Sequence, residues 1–192
     1  MNAESDGIAR GPLEEWFAQR VPTLEPPLDY EKIHGGLSNL TFLVTDQAGK
    51  RWVLRRPPLG DRLGSAHDMG REVRVVTALE GTQVPVPPVV GYCDDDSVTG
   101  APFYVMPRVS GVILRGQRPP AELGLDRGRM KQLSTVLVDG LAELHAVDVQ
   151  AAGLSNLGKI DGYVKRQVEG WTKRYFAAKT DEVPDIEKAA SW

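Results

Sequence analysis

A glycine-rich segment, a cationic residue and an acidic residue occur along this chain in an order that suits phosphate binding. The glycine-rich segment is GGLSN, residues 35–39, and it lies between two apolar runs. Glycines let backbone N–H groups approach phosphate oxygens closely, and the Ser38 hydroxyl adds a further donor. The same letters are also typical of a Gly-Gly hairpin that binds nothing. The segment alone leaves both interpretations open.

The candidate cation is Arg55, at the end of the run WVLR, and the candidate acid is Glu72, on a stretch with helical periodicity. A guanidinium binds oxyanions with a planar fork. Glu72 shares a helix face with Met69 and Val76, so it is expected to point toward the preceding strands. The alternative for Arg55 is a solvated strand end beside Arg56. The alternative for Glu72 is a surface ion pair with a neighbouring arginine, worth roughly 0–1 kcal/mol.

The connector after FYVM is a candidate site for a planar base. Met106 would lie at the back of the pocket, with the Pro107 carbonyl as an acceptor and the Val109 N–H as a donor. Proline lacks an N–H, but this arrangement needs only its C=O. Apolar strand residues are more commonly plain core, which is the alternative here.

These candidates are spread over strands and one helix. Residues 66–80 fit a helix, and the turn-like segments GGLSN and QAGK separate strand-like runs. Five strands are predicted, at about 30–34, 40–46, 51–56, 88–92 and 102–106. A helix between the third and fourth strands of an antiparallel sheet is an α+β arrangement, and its order is that of a protein-kinase-like N-lobe.

The rest of the chain is predicted to be helical or irregular. Residues 1–11 have a disordered composition, and Pro12 is expected to open a short helix. Helices are also predicted over 129–146 and 160–178, where apolar residues recur on one helix face, and from Pro184 onward. The predicted domains are a tail and short helix, an N-lobe and a partial helical C-lobe, over 1–27, 28–110 and 111–192.

Composition excludes several classes of function. The net charge is −3, with 23 basic and 26 acidic residues, so neither nucleic acid nor a membrane surface is an expected partner. The single cysteine, Cys93, cannot form an internal disulfide and leaves no cysteine cluster for a metal. The chain has neither a signal peptide nor a long apolar span, so a cytoplasmic protein is expected. Asp94, Asp95 and Asp96 suggest either a cation site or, more simply, a solvated turn.

The motifs together resemble a known family. The chain is similar to the aminoglycoside phosphotransferase-like superfamily over about residues 28–192, and most similar to a bacterial branch related to the kinase-like domain of some large acyl-CoA dehydrogenase proteins. The strings that carry the resemblance are GGLSNLTF, WVLRRPP, SAHDMGREVRVVTAL, VPVPPVVGYCDDDSVTGAPFYVM, LAELHAVD and GYVKRQVEGWTKRY.

This resemblance implies an ATP-dependent small-molecule kinase fold, with Mg²⁺ as a second cofactor in the complete protein. In the family the Gly-Ser loop covers the nucleotide phosphates, the basic strand residue contacts them, and the connector holds adenine. The implied nucleotide-binding residues are Gly35, Gly36, Ser38, Asn39, Arg55, Glu72, Met106, Pro107 and Val109. Arg55 stands where the wider kinase pattern has Lys, and Pro107 is a second departure.

The catalytic loop of such kinases, H-x-D-x-x-x-x-N, is missing from the sequence. His145 is the only histidine after residue 111, and Val147 stands where the loop would need Asp. Asp148 comes one place late, and Gly153 replaces the Asn that would follow it. His145 is therefore expected near a helix C-terminus, where an imidazole is favourable.

Two main hypotheses follow, and the phosphate acceptor cannot be named from either. The first is the N-terminal portion of a kinase that phosphorylates a hydroxyl of an unidentified small molecule. The helix from Pro184 lacks a stop signal, and the family's catalytic loop would follow it, so this chain would lack the base and the metal ligands and is expected to be inactive in isolation. A second lobe that is cut short in this way is also expected to expose Trp171, Tyr175 and Trp192. The second is a non-catalytic nucleotide-binding or pseudokinase-like module. A dinucleotide enzyme is disfavoured, since GGLSN lacks the G-x-G-x-x-G spacing and precedes a strand.

Overall fold

The computed structural model describes residues 7–34, 39–58, 68–114, 121–159 and 161–191. The chain divides into two compact units, Met1–Leu154 and Ser155–Trp192. The first unit contains a five-stranded antiparallel sheet in the order β1-β2-β3-β5-β4. Its strands are β1 Asp29–Lys32, β2 Leu40–Thr45, β3 Arg51–Arg56, β4 Gly91–Cys93 and β5 Phe103–Pro107. The predicted α+β fold class is confirmed.

Six α-helices are described, and four of them match the predicted helices closely. They are α1 Arg10–Ala18, α2 Met69–Leu79, α3 Asp96–Thr99, α4 Arg127–Ala146, α5 Tyr163–Ala178 and α6 Pro184–Ala190. The first two residues of the predicted helix over 66–80 lie outside the described residues. In the described part of the chain, no helix combines the length and apolar character needed to cross a bilayer.

Strand β4 is shorter and later than the predicted 88–92. Pro85, Pro87 and Pro88 precede it, and a proline has no N–H to donate to a sheet ladder. Regular pairing therefore begins only at Gly91, opposite Val105 of β5.

The main core lies between α1 and one face of the sheet. The alternating burial of β3 sends Trp52, Leu54 and Arg56 into this face, while Val53 and Arg55 lie on the other. The core cluster is made by Ile8, Leu13, Trp16, Phe17, Leu28, Tyr30, Phe42, Val44, Trp52, Leu54, Cys93, Phe103 and Val105.

The N-terminal segment is part of this core, so the expectation of disorder over 1–11 is wrong for residues 7–11. Ile8 is buried, and α1 begins at Arg10 rather than at Pro12. Pro12 lies in the first turn of α1, where backbone N–H groups have no intrahelical acceptor, so its missing N–H costs nothing. Residues 1–6 lie outside the described residues.

Arg56 is a fully buried side chain that ties the N-terminal segment to the sheet. Its Nη1 donates to the backbone carbonyls of Gly7 and of Thr99, the latter at 3.0 Å. Hydrogen bonding is what makes a buried guanidinium tolerable. The two adjacent arginines of β3 therefore differ: Arg56 is structural, and Arg55 lies on the opposite face.

Several helices carry exposed apolar side chains. Asp126 caps α4 by accepting a hydrogen bond from the Arg129 N–H at 2.8 Å. The predicted apolar face of α4 includes Leu137, which is 74% exposed, and Leu141, which is 52% exposed. In the second unit, Trp171 on α5 is 63% exposed, as expected from the sequence.

Within the second unit, one charged cluster joins α5 to α6. Lys179 Nζ lies 2.9 Å from carboxylate oxygens of both Glu182 and Glu187, and Tyr175 Oη donates to Glu187 at 3.4 Å. The hydrogen bonds to Glu187 and then to Glu182 raise the pKa of Lys179. Tyr175 is half-buried, whereas Trp192, also expected to be exposed, lies outside the described residues.

Replacing Phe17 should show how much α1 contributes to the fold. Its ring is fully buried, with centroids 5.6 Å from Trp16 and 5.9 Å from Trp52. We expect Phe17→Ala to lower the free energy of unfolding by about 3–5 kcal/mol, because the cavity cannot close. Urea denaturation followed by circular dichroism measures this loss.

Glu15→Ala is the matched control, since Glu15 is exposed on the same helix. It should change the free energy of unfolding by no more than about 0.5 kcal/mol. Equal, small losses for the two variants would mean that α1 does not contribute to the core.

Candidate functional site

The predicted cation and acid meet on the sheet face opposite α1. Strand β3 is paired on both sides, with Arg55 opposite Thr41 of β2 and opposite Tyr104 of β5. Asp68 caps α2 by accepting a hydrogen bond from the Arg71 N–H at 2.8 Å. This cap fixes the first turn of the helix, where Glu72 lies.

Arg55 and Glu72 form a bidentate ion pair. Arg55 Nε donates to Glu72 Oε2 at 3.0 Å, and Arg55 Nη2 donates to Oε1 at 3.3 Å. Each side chain is 33% exposed, so the pair is accessible from solvent. Burial acts to lower the pKa of Arg55, but the hydrogen bond and charge of Glu72 outweigh it and raise that pKa. The alternative of a surface Glu72 paired with Arg71 or Arg74 is thereby replaced by a pair that joins the helix to the sheet.

Glu72 accepts two further hydrogen bonds. Asn39 Nδ2 donates to Oε1 at 2.9 Å, and Tyr104 Oη donates to Oε2 at 3.1 Å. A carboxylate offers about four lone-pair positions, so these four hydrogen bonds fill it. Donors from the start of β2, from β3 and from β5 thus converge on one carboxylate of α2.

Tyr104 is the member of this cluster that sequence reasoning missed. The string FYVM places it on the face opposite Phe103 and Val105, which are core residues. A tyrosine on the site face, two residues before the predicted Met106, was the available signal. Its pairing with Arg55 depends on the order of the strands, which local patterns do not give.

The connector residues lie at the end of β5 and just after it. Arg108 N–H donates to Arg51 C=O at 3.1 Å, so the adjacent pair Trp52–Pro107 is of the non-hydrogen-bonded kind. The backbone of Pro107 therefore points away from β3, and the sheet loses nothing by its missing N–H. Met106 is half-buried on the face that carries Arg55, and Val109 is exposed.

The remaining predictions have different outcomes. Gly35, Gly36 and Ser38 lie outside the described residues. Asp95 caps the short helix α3 by accepting a hydrogen bond from the Ser97 N–H at 2.8 Å. Hydrogen bonding from the Ser97 side chain, followed by this backbone bond, lowers the pKa of Asp95. Among the described residues, no group of three or more His, Cys, Asp or Glu side chains is arranged so that it could hold a metal ion. His145 lies in the last turn of α4, as predicted.

A cavity of about 420 Å³ lies away from this cluster, between the end of α2 and the end of α4. Two of its polar side chains bond to nearby backbone groups. Glu80 Oε1 accepts from the Val89 N–H, and Asp148 Oδ1 accepts from the Gln150 N–H. We therefore assign it no ligand.

The Tyr104 phenol should titrate late. Burial, followed by the negative charge of Glu72, raises its pKa from 10.0 to about 12. A folded-state pKa above the unfolded one contributes stability that is complete below pH 10.0 and is lost as the pH rises through about 12. The difference in unfolding free energy between the wild type and Tyr104→Phe should therefore shrink over this window.

Ultraviolet absorbance of the phenolate checks this assignment directly. Tyr104→Phe should remove one phenol from the part of the titration near pH 12. If the missing phenol instead comes from the step near pH 10.0, the buried position of Tyr104 beside Glu72 is not present in solution.

Comparison with known proteins agrees with this architecture. The sequence profile of the phosphotransferase enzyme family matches residues 29–192. Mouse acyl-CoA dehydrogenase family member 10 is 38% identical over 166 residues, which is 86% of this chain and 15% of that protein. Human acyl-CoA dehydrogenase family member 11 is 37% identical over 168 residues, covering 88% of this chain and 21% of that protein. The chain thus spans about a fifth or less of these relatives.

A solved structure shares the fold. A Ralstonia eutropha JMP134 protein classed among the aminoglycoside phosphotransferases superposes with a TM-score of 0.77 at 35% sequence identity. The match covers 94% of this chain and 51% of that one. The resemblance seen in the sequence is therefore confirmed, and the chain belongs to the phosphotransferase enzyme family, with relatives among the kinase-like domains of acyl-CoA dehydrogenase family members 10 and 11.

Proposed function

We propose that this chain supplies the nucleotide-binding half of an ATP-dependent phosphotransferase site. The observation that carries the proposal is the bidentate Arg55–Glu72 pair on the accessible face of the sheet. A guanidinium has five N–H donors, and two of them are used on Glu72. The remaining donors belong mainly to Nη1, on the far side from Glu72. They suit a phosphate oxygen.

The ion pair fixes the direction of this cation. A lone arginine on a strand end samples many rotamers, and ordering it on binding costs free energy. Glu72 holds the Nε–Nη2 edge, so the free edge is oriented before any ligand arrives. A lysine could not contact both carboxylate oxygens with a planar fork, which gives a physical reason for Arg55 in place of the commoner Lys.

The other predicted residues would complete a nucleotide site. The Pro107 carbonyl and the Val109 N–H would contact the base edge, and Met106 would contact the base from the site face of the sheet. Gly35, Gly36 and Ser38 would supply donors to the phosphates. When bound, ATP supplies the phosphoryl group that is transferred, and Mg²⁺ neutralises part of its charge.

The acceptor and the transfer step are assigned to residues that this sequence does not contain. No H-x-D-x-x-x-x-N motif occurs in the 192 residues, so a base for the acceptor hydroxyl and an Asn for the metal are both missing. We propose a small-molecule alcohol as the acceptor of the whole protein. The aminoglycosides in the description of the Ralstonia protein are not carried over to this chain.

Arg55→Ala should weaken ATP binding selectively. We expect a loss of about 10- to 100-fold in affinity, because a charge-assisted contact to the phosphates is removed. Adenosine, which has no phosphates, should bind both proteins equally. Isothermal titration calorimetry with each ligand measures the two affinities.

Arg51→Ala is the matched control. Arg51 has the same charge and lies exposed on the same face of the same strand, four residues earlier. Its loss should leave ATP affinity within about twofold, since a distant exposed charge is screened. Equal effects of the two substitutions, or an unchanged affinity in Arg55→Ala, would remove Arg55 from the site. Ser38→Ala should also weaken ATP binding.

The chain alone should show no phosphotransferase activity with ATP, Mg²⁺ and a panel of hydroxyl compounds. Loss of the base and the metal ligands removes most of the charge stabilisation on which phosphoryl transfer depends. Release of phosphate or of ADP measures turnover, with Arg55→Ala as the contamination control. Turnover that the wild type has and Arg55→Ala lacks would contradict this prediction.

The second candidate function is a non-catalytic nucleotide-binding module. The missing motif favours it, whereas the exposed apolar residues of α4, such as Leu137 and Leu141, favour a chain that needs more protein around it. A monomer that melts cooperatively at high concentration would favour the module. Concentration-dependent association through the apolar faces would favour the first proposal.

A further inference from the structure

We propose that Asn39 and Tyr104 are positioning residues that orient Arg55 by holding the carboxylate of Glu72 from both sides. This inference rests on the proposed function, because the purpose of the arrangement is to present Arg55 to a phosphate. It changes the role of Asn39, which the sequence pattern assigned to the nucleotide itself, and adds Tyr104, which no motif identified.

The geometry divides the carboxylate symmetrically. Oε1 accepts from Asn39 Nδ2 at 2.9 Å and from Arg55 Nη2 at 3.3 Å, while Oε2 accepts from Arg55 Nε at 3.0 Å and from Tyr104 Oη at 3.1 Å. On each carboxylate oxygen, Arg55 thus occupies one lone-pair position and a neutral donor occupies the other. Rotation of the carboxylate about its terminal bond would break all four hydrogen bonds.

The two neutral donors come from backbones that are fixed relative to Arg55. Asn39 immediately precedes β2, and β2 pairs with β3 from Leu40 opposite Arg56 onward. Tyr104 lies directly opposite Arg55 on β5. The sheet ladder therefore sets the spacing of Arg55 and Tyr104, and Asn39 lies one residue before the ladder begins. Helix α2 contributes only the acceptor. Loss of either neutral donor leaves the ion pair intact but frees one side of the carboxylate.

Tyr104 is suited to this role by its surroundings. Its side chain is buried, and its hydroxyl is protonated at neutral pH, as for any phenol whose pKa is 10.0 or higher. A protonated phenol beside a carboxylate can only donate to it. Direct contact between this hydroxyl and a nucleotide is less compatible with the geometry, since the hydroxyl points at Glu72 rather than into solvent.

A double-mutant cycle on nucleotide affinity separates positioning from direct contact. We expect Tyr104→Phe and Asn39→Ala each to weaken ATP binding by about 3- to 10-fold and to leave adenosine binding unchanged. In an Arg55→Ala background, both losses should disappear, because nothing remains to be oriented. Chemical-shift titration reaches the weak affinities expected there.

Tyr92→Phe is the matched control. Tyr92 lies on β4 directly opposite Tyr104, and the four hydrogen bonds of Glu72 do not involve it. Its hydroxyl can be removed without touching the carboxylate, so ATP affinity should stay within about twofold of the wild type.

A second readout needs no nucleotide. In the free chain, exchange of the Arg55 Nε–H proton with water, followed by nuclear magnetic resonance, should accelerate several-fold in Tyr104→Phe and in Asn39→Ala. It should not change in Tyr92→Phe. A role that is only structural would lower the melting temperature without this selective change at one side chain.

The outcomes decide the two proposals separately. Unchanged Nε–H exchange in both variants, or an ATP loss of the same size with and without Arg55, would overturn the positioning role. Accelerated exchange in Tyr104→Phe and Asn39→Ala, together with no ATP binding by the wild-type chain, would support the positioning role and would overturn the proposed nucleotide site.

Discussion

The carboxylate of Glu72 is the acceptor on which the site face of this protein depends. It receives hydrogen bonds from Arg55 on β3, from Tyr104 on β5 and from Asn39, which immediately precedes β2. A helix that packs on a sheet by apolar contacts alone can slide. Four directional hydrogen bonds fix the rotation of the helix about its axis and its position over the sheet. The same contacts leave the outer edge of the Arg55 guanidinium oriented and accessible. The same carboxylate therefore holds α2 on the sheet and orients Arg55.

Strand β3 shows how a period of two separates stability from function. Arg55 and Arg56 are adjacent in sequence but point to opposite faces, so one joins the site and the other is buried beneath α1. Arg56 binds the carbonyls of Gly7 and Thr99, which closes the core around the N-terminal segment. A slip of one residue in the pairing of β3 would bury Arg55 and expose Arg56. The register with β2 and β5 therefore determines which arginine can meet a ligand.

Much of the fold was predictable because its signals are local. Alternation and turn residues identified the strands, and apolar periodicity identified α2, α4 and α5. The packing of residues 7–11 was not predictable, since a short polar segment gives no sign that Ile8 is buried and that Gly7 contacts Arg56. In the site, Arg55 and Glu72 were identified from chemistry and order. Tyr104 was missed because its role depends on the β3–β5 pairing, which is a long-range property of the chain.

The assignment of Arg55 to the phosphates is tested most directly by a crystal structure of the chain with Mg²⁺ and a non-hydrolysable ATP analogue. We expect a phosphate oxygen within hydrogen-bond distance of Arg55 Nη1, with Nε and Nη2 still bound to Glu72. The base should contact the connector at Pro107 and Val109. A nucleotide whose phosphates lie far from Arg55, or an Arg55 that leaves Glu72 to reach them, would contradict a cation oriented in advance by its carboxylate.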